Sequence, residues 1–226
     1  MVESKRQFRE TKVFDVLAAA PIIGWYGFAV VGIAIKNARY IASLPVDLDW
    51  KGFLDLGSQL AIAVFLRLQV ILFLIRVLPI ETASGLVPRV AAFVGANLAL
   101  VFLALPRVVL SPAVEALSTA IVLFGTLACV VTAFSLGRAF SILPQARRFV
   151  ASGPYRLVRH PLYLAEQVAT WGLMIQFEQP WAALLALAIL AAQFPCMYYE
   201  EQVLKKAFPA YSEYAARTKR FIPGVY

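Results

Sequence analysis

The chain has 226 residues, of which 61% are hydrophobic and 15% are charged, and its mean hydropathy is +0.75. A soluble domain could not bury this much apolar surface, so the composition predicts an integral membrane protein built as one all-α, polytopic helical bundle. The formal charge of +8 is explained by the arginines and lysines that fix membrane topology, and it does not indicate nucleic-acid binding.

Six apolar segments are predicted to span the membrane, at residues 14–35, 54–78, 87–105, 113–135, 161–178 and 180–199. The last two meet at Glu178-Gln179-Pro180, so they should form a tight antiparallel hairpin. We expect a single transmembrane domain over residues 1–226, with N-terminal spans in 1–135 and a polar loop, the hairpin and a tail in 136–226. The tail predicts a C-terminal amphipathic helix, with Pro209 ending one short helix and starting the next.

Lysines and arginines are distributed unequally between the two sides that six spans would define. Sixteen lie in the N-terminal segment, the second-to-third and fourth-to-fifth connections and the tail, against four on the other side. Because positively charged residues are retained in the cytoplasm, both termini, the loop at 136–160 and the pair Glu200–Glu201 are predicted to be cytoplasmic. This topology favours a bacterial inner-membrane protein.

The segment at residues 152–166, SGPYRLVRHPLYLAE, contains the only histidine of the chain, His160. Pro161 suits the first turn of a helix, where its missing N–H is no loss. His160 would then lie at the start of that helix, with Tyr163 and Glu166 on one face one and two turns further along. Polar groups at this depth are costly unless they bind something, so the segment predicts a functional site.

Several kinds of site are excluded by the residues present. A single histidine with two cysteines in apolar segments, Cys129 and Cys196, does not make a metal site. A P-loop and a GxGxxG fingerprint are absent. Ser152 is near His160, but the loop lacks both the nucleophile elbow and the acidic partner of a Ser-His-Asp triad. Basic and aromatic residues with carboxylates remain, and they suit a zwitterionic cofactor with a cationic centre.

Three segments together carry a family resemblance: GPYRLVRHPLY at 153–163, the pair Glu200–Glu201, and AFPAYSEYAARTKRFIP at 207–223. They resemble the isoprenylcysteine carboxyl methyltransferase and phospholipid methyltransferase superfamily, as does SLGRAFS at 135–141. The resemblance implies an integral membrane methyltransferase that uses S-adenosylmethionine. Its acceptor would be lipophilic and would reach the site from the bilayer, and no nucleic acid or metal is expected as a partner.

The resemblance also implies roles for individual residues. The cofactor pocket would be lined by Tyr155, His160, Pro161, Leu162 and Tyr163, while Glu200, together with Glu201, would hold the cofactor's amino group. The candidate catalytic residues are Glu166, Glu201 and Arg159, with Glu166 or Glu201 serving as base for an amine acceptor.

The first two spans supply candidate substrate contacts. Arg67 lies near the middle of the second span, and we expect it to face the site, pairing with Glu166 or binding an anionic acceptor headgroup. Snorkelling and a structural ion pair are the alternatives for this arginine. Trp25 and Tyr26 are the further predicted acceptor contacts.

The chain departs from the prenylcysteine enzymes at three positions. Arg147 stands where they have a histidine, Cys196 where they have an arginine that binds the substrate carboxylate, and Ala165 where a glycine is common. These departures favour the fold and the cofactor over a prenylcysteine carboxylate as substrate, and leave a phospholipid amine or a thiol as acceptors.

Two other functions remain open. A membrane reductase of the sterol type has a similar loop and uses NADPH. To bind the 2′-phosphate of NADPH, however, the site would need a further cluster of arginines. A membrane scaffold without enzymatic activity would have no reason to concentrate buried charges at one cytoplasmic mouth.

Overall fold

A computed structural model of the chain describes residues 11–43 and 49–224, apart from the side chain of Leu103. The predicted all-α class is confirmed. The helices are α1 (Lys12–Ala42), α2 (Trp50–Ile75), α3 (Val87–Asn97), α4 (Pro112–Leu136), α5 (Pro161–Met174), α6 (Trp181–Ala207) and α7 (Ala210–Arg217). Short 3-10 helices occur at Leu98–Ala104, Gly137–Ala139 and Gly153–Arg156, and β1 (Glu81–Thr82) pairs antiparallel with β2 (Gln145–Ala146).

Fewer helices than predicted have the length and hydropathy of a membrane span. In the described part of the chain, four helices are long and apolar enough to cross a membrane: Lys12–Ala42, Trp50–Ile75, Pro112–Ala139 and Trp181–Ala207. The six-span count is therefore not confirmed. The predicted third span is an 11-residue helix followed by a 3-10 helix, and the predicted fifth is the 14-residue helix α5. Fourteen residues rise about 21 Å, less than the hydrocarbon thickness of about 30 Å.

Long-range contacts define two ends of the bundle. At the end that contains the 152–166 segment, called the motif end, the starts of α1 and α5 meet the ends of α2, α4 and α6. The opposite end joins the starts of α2 and α4 to the end of α5. The defining pairs are His160–Glu201, Asp15–Arg76 and Asp15–Arg147 at the motif end, and Lys51–Glu115 and Ser118–Gln176 at the opposite end. The basic residues Lys5, Arg6 and Arg9, used in the topology prediction, lie outside the described residues.

Helices α4 and α5 approach closely because glycine occupies both sides of their interface. A Cβ atom on Gly125 would lie 2.4 Å from the backbone nitrogen of Ala169, and one on Gly172 would lie 2.8 Å from that of Val122. The hydroxyl of Ser118 also donates a 2.8 Å hydrogen bond to the Gly172 carbonyl. This contact fixes α5, and with it the motif at its first turn, against a long helix.

The antiparallel hairpin predicted for the last two apolar segments is present as α5 and α6. Gln193 Nε2 donates to the Tyr163 carbonyl at 3.3 Å, and Gln167 Nε2 donates to the Ala186 carbonyl at 3.4 Å. Helix α6 continues to Ala207, beyond the predicted end at residue 199, so the acidic pair lies inside a helix. Pro209 precedes α7, as predicted, but the residues before it belong to α6 rather than to a separate short helix.

A buried ion cluster joins α1 to the motif end. The Asp15 carboxylate accepts hydrogen bonds from Arg76 Nε at 2.8 Å and from Arg147 Nη2 at 2.7 Å, and the Arg147 side chain is fully buried. Arg147 therefore has a structural role in this chain.

Candidate active site

The start of α5 is held in place by the C-terminal tail. His160 is the residue before the first turn of α5, and Pro161 begins that turn, as predicted. The backbone N–H groups of Arg159 and His160 donate to the carbonyls of Lys219 and Arg220 at 2.8 and 3.0 Å. Because the tail supplies these acceptors, it fixes where the motif side chains point.

The two residues of the acidic pair differ in their nearest partners, although His160 lies close to both. Glu200 accepts a 2.6 Å hydrogen bond from the Tyr163 hydroxyl. Glu201 lies 3.0 Å from His160 Nε2, and accepts hydrogen bonds from the Arg220 guanidinium at 3.0 Å. Consecutive helical residues point about 100° apart, so Glu200 reaches Tyr163 and Glu201 reaches Arg220, while His160 Nδ1 also lies 3.7 Å from Glu200.

His160 is enclosed, with 4% of its surface exposed. Burial lowers its pKa below the usual histidine value, and the nearby Glu201 carboxylate opposes that shift only in part. The ring is therefore neutral near pH 7, and its Nε2–H can donate to Glu201. Arg159 Nε lies 3.4 Å from the same carboxylate, which also accepts from Arg220. Glu201 thus forms the centre of a buried cluster that joins the motif, α6 and the tail.

A cavity of about 520 Å³ extends from the motif end into the bundle, within the range of about 300–1,000 Å³ usual for small-molecule sites. Charged and aromatic hydroxyl groups are concentrated at the motif end, and most of the remaining wall is apolar. The polar wall includes Arg148, Tyr155, Arg159, His160, Tyr163 and Glu200, and the apolar wall includes Trp25, Ile33, Phe65, Leu66, Ala96 and Leu100.

Most of the sequence-predicted site residues line this one cavity: Trp25, Tyr26, Tyr155, Arg159, His160, Leu162, Tyr163, Glu166 and Glu200. Pro161 and Glu201 are not among the lining residues. Glu201 supports the site through His160 and the arginines, so its predicted contact with the cofactor stays a prediction, as does that of Pro161.

Arg67 is placed differently from what we predicted. Its side chain is exposed on α2 and is not part of the cavity wall, and within the described residues it has no ion pair with Glu166. The helix phase explains this. Ile62, Leu66 and Gln69 lie on the cavity face of α2, whereas Arg67 is rotated about 100° from Leu66. Snorkelling, the alternative reading, agrees with this exposed position.

The cavity wall also contains polar residues to which the sequence analysis assigned no role. Gln69 on α2, Thr170 on α5 and Gln193 on α6 all line it. The spacing could have identified two of them. Thr170 follows Tyr163 and Glu166 at i, i+3, i+7 on α5, and Gln193, Cys196 and Glu200 have the same spacing on α6, so each set lies on one helix face.

Aromatic rings of the tail cover the motif end of the cavity. The Phe149 ring lies 5.7 Å from Tyr211 and 5.3 Å from Tyr214, between centroids, and all three residues line the cavity. The Tyr214 hydroxyl donates to the Tyr155 carbonyl. Burial raises the pKa of the Tyr214 hydroxyl to about 12, so it stays protonated as a donor.

Comparison with known proteins finds a family match. Residues 106–211 match the family model described as phospholipid methyltransferase. This match confirms the resemblance predicted from the motif and the acidic pair. The assignment suggests a membrane methyltransferase.

Two curated proteins share part of the sequence. The cobalt-zinc-cadmium resistance protein CzcN of Cupriavidus metallidurans is 42% identical over 79 residues, which cover 33% of this chain and 35% of that protein. The nickel-cobalt-cadmium resistance protein NccN of Alcaligenes xylosoxydans xylosoxydans is 36% identical over 99 residues, which cover 41% of this chain and 46% of that protein. The chain thus spans less than half the length of each of these relatives.

Proposed function

We propose that the protein is an integral membrane methyltransferase that uses S-adenosylmethionine and acts on a lipophilic acceptor reaching the site from the bilayer. One observation carries the proposal: a single cavity has a polar wall built from the family motif and an apolar wall built from the membrane helices. A polar cofactor and an apolar acceptor could meet in such a cavity. The acceptor classes considered are an isoprenylcysteine-like group, a phospholipid amine and a thiol.

The residues at the motif end fit this cofactor. Glu200 presents a carboxylate that suits an ammonium group, and the Tyr163 hydroxyl holds that carboxylate in place. Arg148 supplies a guanidinium to the same wall for a carboxylate. The rings of Phe149 and Tyr211 provide faces for an aromatic base.

Bound S-adenosylmethionine would supply a methyl group on a positively charged sulfur, open to displacement by a nucleophile. The protein itself would then align the methyl donor with the acceptor and exclude water. Alignment alone can lower the activation free energy by about 7–11 kcal/mol. Glu166 lines the cavity one turn beyond Tyr163, and among the described residues it has no ion-pair partner. It is placed to accept the proton that an N–H, O–H or S–H acceptor loses.

The proposed location is the inner membrane, with both termini and the motif end on the cytoplasmic side. The excess of lysine and arginine in the segments assigned to that side supports this orientation. S-adenosylmethionine would then have access to the polar wall of the cavity from the cytoplasm.

An NADPH-dependent membrane reductase is the alternative, and the arginines at the cavity weigh against it. Two arginines line the described cavity wall, Arg148 and Arg159, and Arg159 lies beside Glu201. Binding the 2′-phosphate of NADPH requires several cationic side chains that converge on it. On this wall, Arg148 is the arginine that does not lie beside Glu201.

The test is calorimetric titration of the detergent-purified protein with S-adenosylhomocysteine and, separately, with NADPH. The variants are Glu200→Gln, which removes the charge and keeps the shape, and Glu178→Gln as a matched control at an exposed position between α5 and α6.

We expect S-adenosylhomocysteine to bind, Glu200→Gln to weaken that binding at least tenfold, and Glu178→Gln to leave it unchanged. Absence of binding, or stronger binding of NADPH, would overturn the methyltransferase assignment.

A further inference from the structure

A groove on the outer side of α6 at the motif end, called the outer groove, lies between β1, the start of α3 and the last third of α6. Its volume is about 540 Å³, and its walls include Glu81, Pro88, Tyr198, Gln202, Lys205 and Lys206. We propose that the outer groove binds the headgroup of an anionic membrane phospholipid, whose acyl chains lie along the outer faces of α3 and α6. This lipid is a bound ligand and not the methyl acceptor, so the inference does not rest on the proposed function.

The outer groove is separate from the cavity that the motif residues line. Among the described residues, the two have no lining residue in common. Glu200 lines the cavity, whereas Tyr198 and Gln202 line the groove, because residues two positions apart on a helix point about 160° apart. A ligand in the groove therefore lies against a different face of α6 from the one that carries Glu200.

The charges in the outer groove favour an anion. Lys206 Nζ lies 2.7 Å from Glu81 Oε1, and the Lys206 side chain is 71% exposed. Exposed ion pairs contribute little to stability, so Lys206 can exchange this carboxylate for a lipid phosphate. Lys205 is also exposed, and within the described residues it forms no ion pair. Two lysines thus face one carboxylate, and a headgroup with net negative charge complements the excess.

The outer face of α6 presents apolar groups and then a cation, in the order that a phospholipid requires. Leu187, Phe194 and Tyr198 are exposed at positions i, i+7 and i+11, and Lys205 follows at i+18. These spacings bring the four side chains to one face of the helix. Acyl chains can therefore lie along the apolar part of this face while the phosphate reaches the lysine.

The start of α3 continues this apolar surface. The helix has 11 residues, too few to cross a bilayer, and Leu86, Val87 and Val90 at its start are exposed. Exposed apolar residues beside lysines and tyrosines are typical of segments that lie at a membrane interface. A lipid is therefore favoured over a soluble anion, which would leave these apolar side chains uncovered.

The experiment titrates the detergent-purified protein with two lipids that have the same acyl chains, and native mass spectrometry measures the bound fraction. Dioleoylphosphatidylglycerol is anionic, and dioleoylphosphatidylcholine has no net charge. The variant Lys205→Gln removes the cation that forms no ion pair, and Glu81→Gln removes the carboxylate that competes for Lys206. Arg156→Gln is the matched control, because Arg156 is an exposed cation at the same end that lines neither the groove nor the cavity.

We expect phosphatidylglycerol to bind more tightly than phosphatidylcholine in the wild type. Lys205→Gln should weaken phosphatidylglycerol binding by about fivefold, while Glu81→Gln should strengthen it because Lys206 is then available to the phosphate. Arg156→Gln should bind as the wild type does. A gain of affinity in Glu81→Gln could not come from misfolding, so this variant keeps the test decisive if Lys205→Gln is poorly folded.

Three results would overturn the inference. The first is equal affinity of the wild type for the two lipids, and the second is equal weakening in Lys205→Gln and Arg156→Gln. The third is displacement of phosphatidylglycerol by excess inorganic phosphate, which would assign the groove to a soluble anion. Binding of S-adenosylhomocysteine should be the same in all variants, so the lipid site and the methyltransferase function are tested separately.

Discussion

Tyr163 donates a 2.6 Å hydrogen bond to Glu200, although the two residues are 37 positions apart in the chain. The bond joins the first turn of α5 to the last third of α6 at the wall of the cavity. It leaves Glu200 facing the cavity while the neighbouring Glu201 is held in the buried cluster with His160 and Arg220.

The variant Tyr163→Phe removes this bond and keeps the ring. Because Glu200 loses the donor that orients it, we expect the affinity for S-adenosylhomocysteine to fall by about tenfold, measured by calorimetry. Tyr198→Phe is the control: Tyr198 is an exposed tyrosine on α6, the helix that carries Glu200, and this variant should bind as the wild type does. Unchanged binding in Tyr163→Phe would contradict the orienting role.

The variant Asp15→Asn removes the carboxylate that Arg76 and Arg147 share. Breaking a buried pair leaves uncompensated charge, so we expect a loss of about 3–5 kcal/mol of stability, seen as a large fall in Tm in detergent. Glu213→Gln breaks a pair with Arg217 in which both side chains are exposed, and Tm should then change little. Similar Tm values for the two variants would show that the buried cluster contributes no more than a surface pair.

The close contact of α4 and α5 predicts that a glycine-to-alanine substitution at this contact destabilises the protein, whereas the same substitution at an open position of α1 does not. Gly125→Ala places a Cβ atom against the Ala169 backbone, and overpacking of this kind costs about 1–3 kcal/mol. Gly27→Ala on α1 meets nothing within 4 Å, and should be neutral or stabilising because alanine favours the helix. Tm of both variants checks the prediction, and a stable Gly125→Ala protein would contradict the packing.

His160 predicts how stability changes with pH. Burial lowers its pKa in the folded state, so between that pKa and the unfolded value of about 6.5 the unfolded chain binds more protons. Stability should therefore be full above about pH 7 and decrease as the pH falls through about 6.5 and below.

The measurement is Tm from pH 8 to pH 5 for the wild type and for His160→Asn. Because the chain has one histidine, the difference between the two curves reports this group together with its contacts to Glu200 and Glu201. The wild type should lose more Tm on acidification than the variant. Parallel curves would contradict the lowered pKa.

The sequence predicted the membrane class, the hairpin of α5 and α6 and nine of the residues on the cavity wall, because these follow from local features. The sequence alone shows apolar segments of spanning length, a proline at a helix start and side chains spaced at i, i+3 and i+7. The span count was not confirmed, because the residues at 87–105 form a short α-helix and a 3-10 helix instead of one continuous helix.

The sequence by itself identified residues that line the motif end of the cavity. Tyr155, His160, Tyr163 and Glu200 were found from the motif and the acidic pair alone.

Only the tertiary structure decided how these residues divide their roles. Helix phase turned Arg67 away from the cavity and Gln69 into it, and separated Glu200 from Glu201 by one 100° step. Packing between helices distant in the chain then enclosed Gln69 and Gln193 with their oxygens unpaired. A single residue's burial and partners depend on the neighbours that folding brings to it, and the linear sequence does not contain those distances.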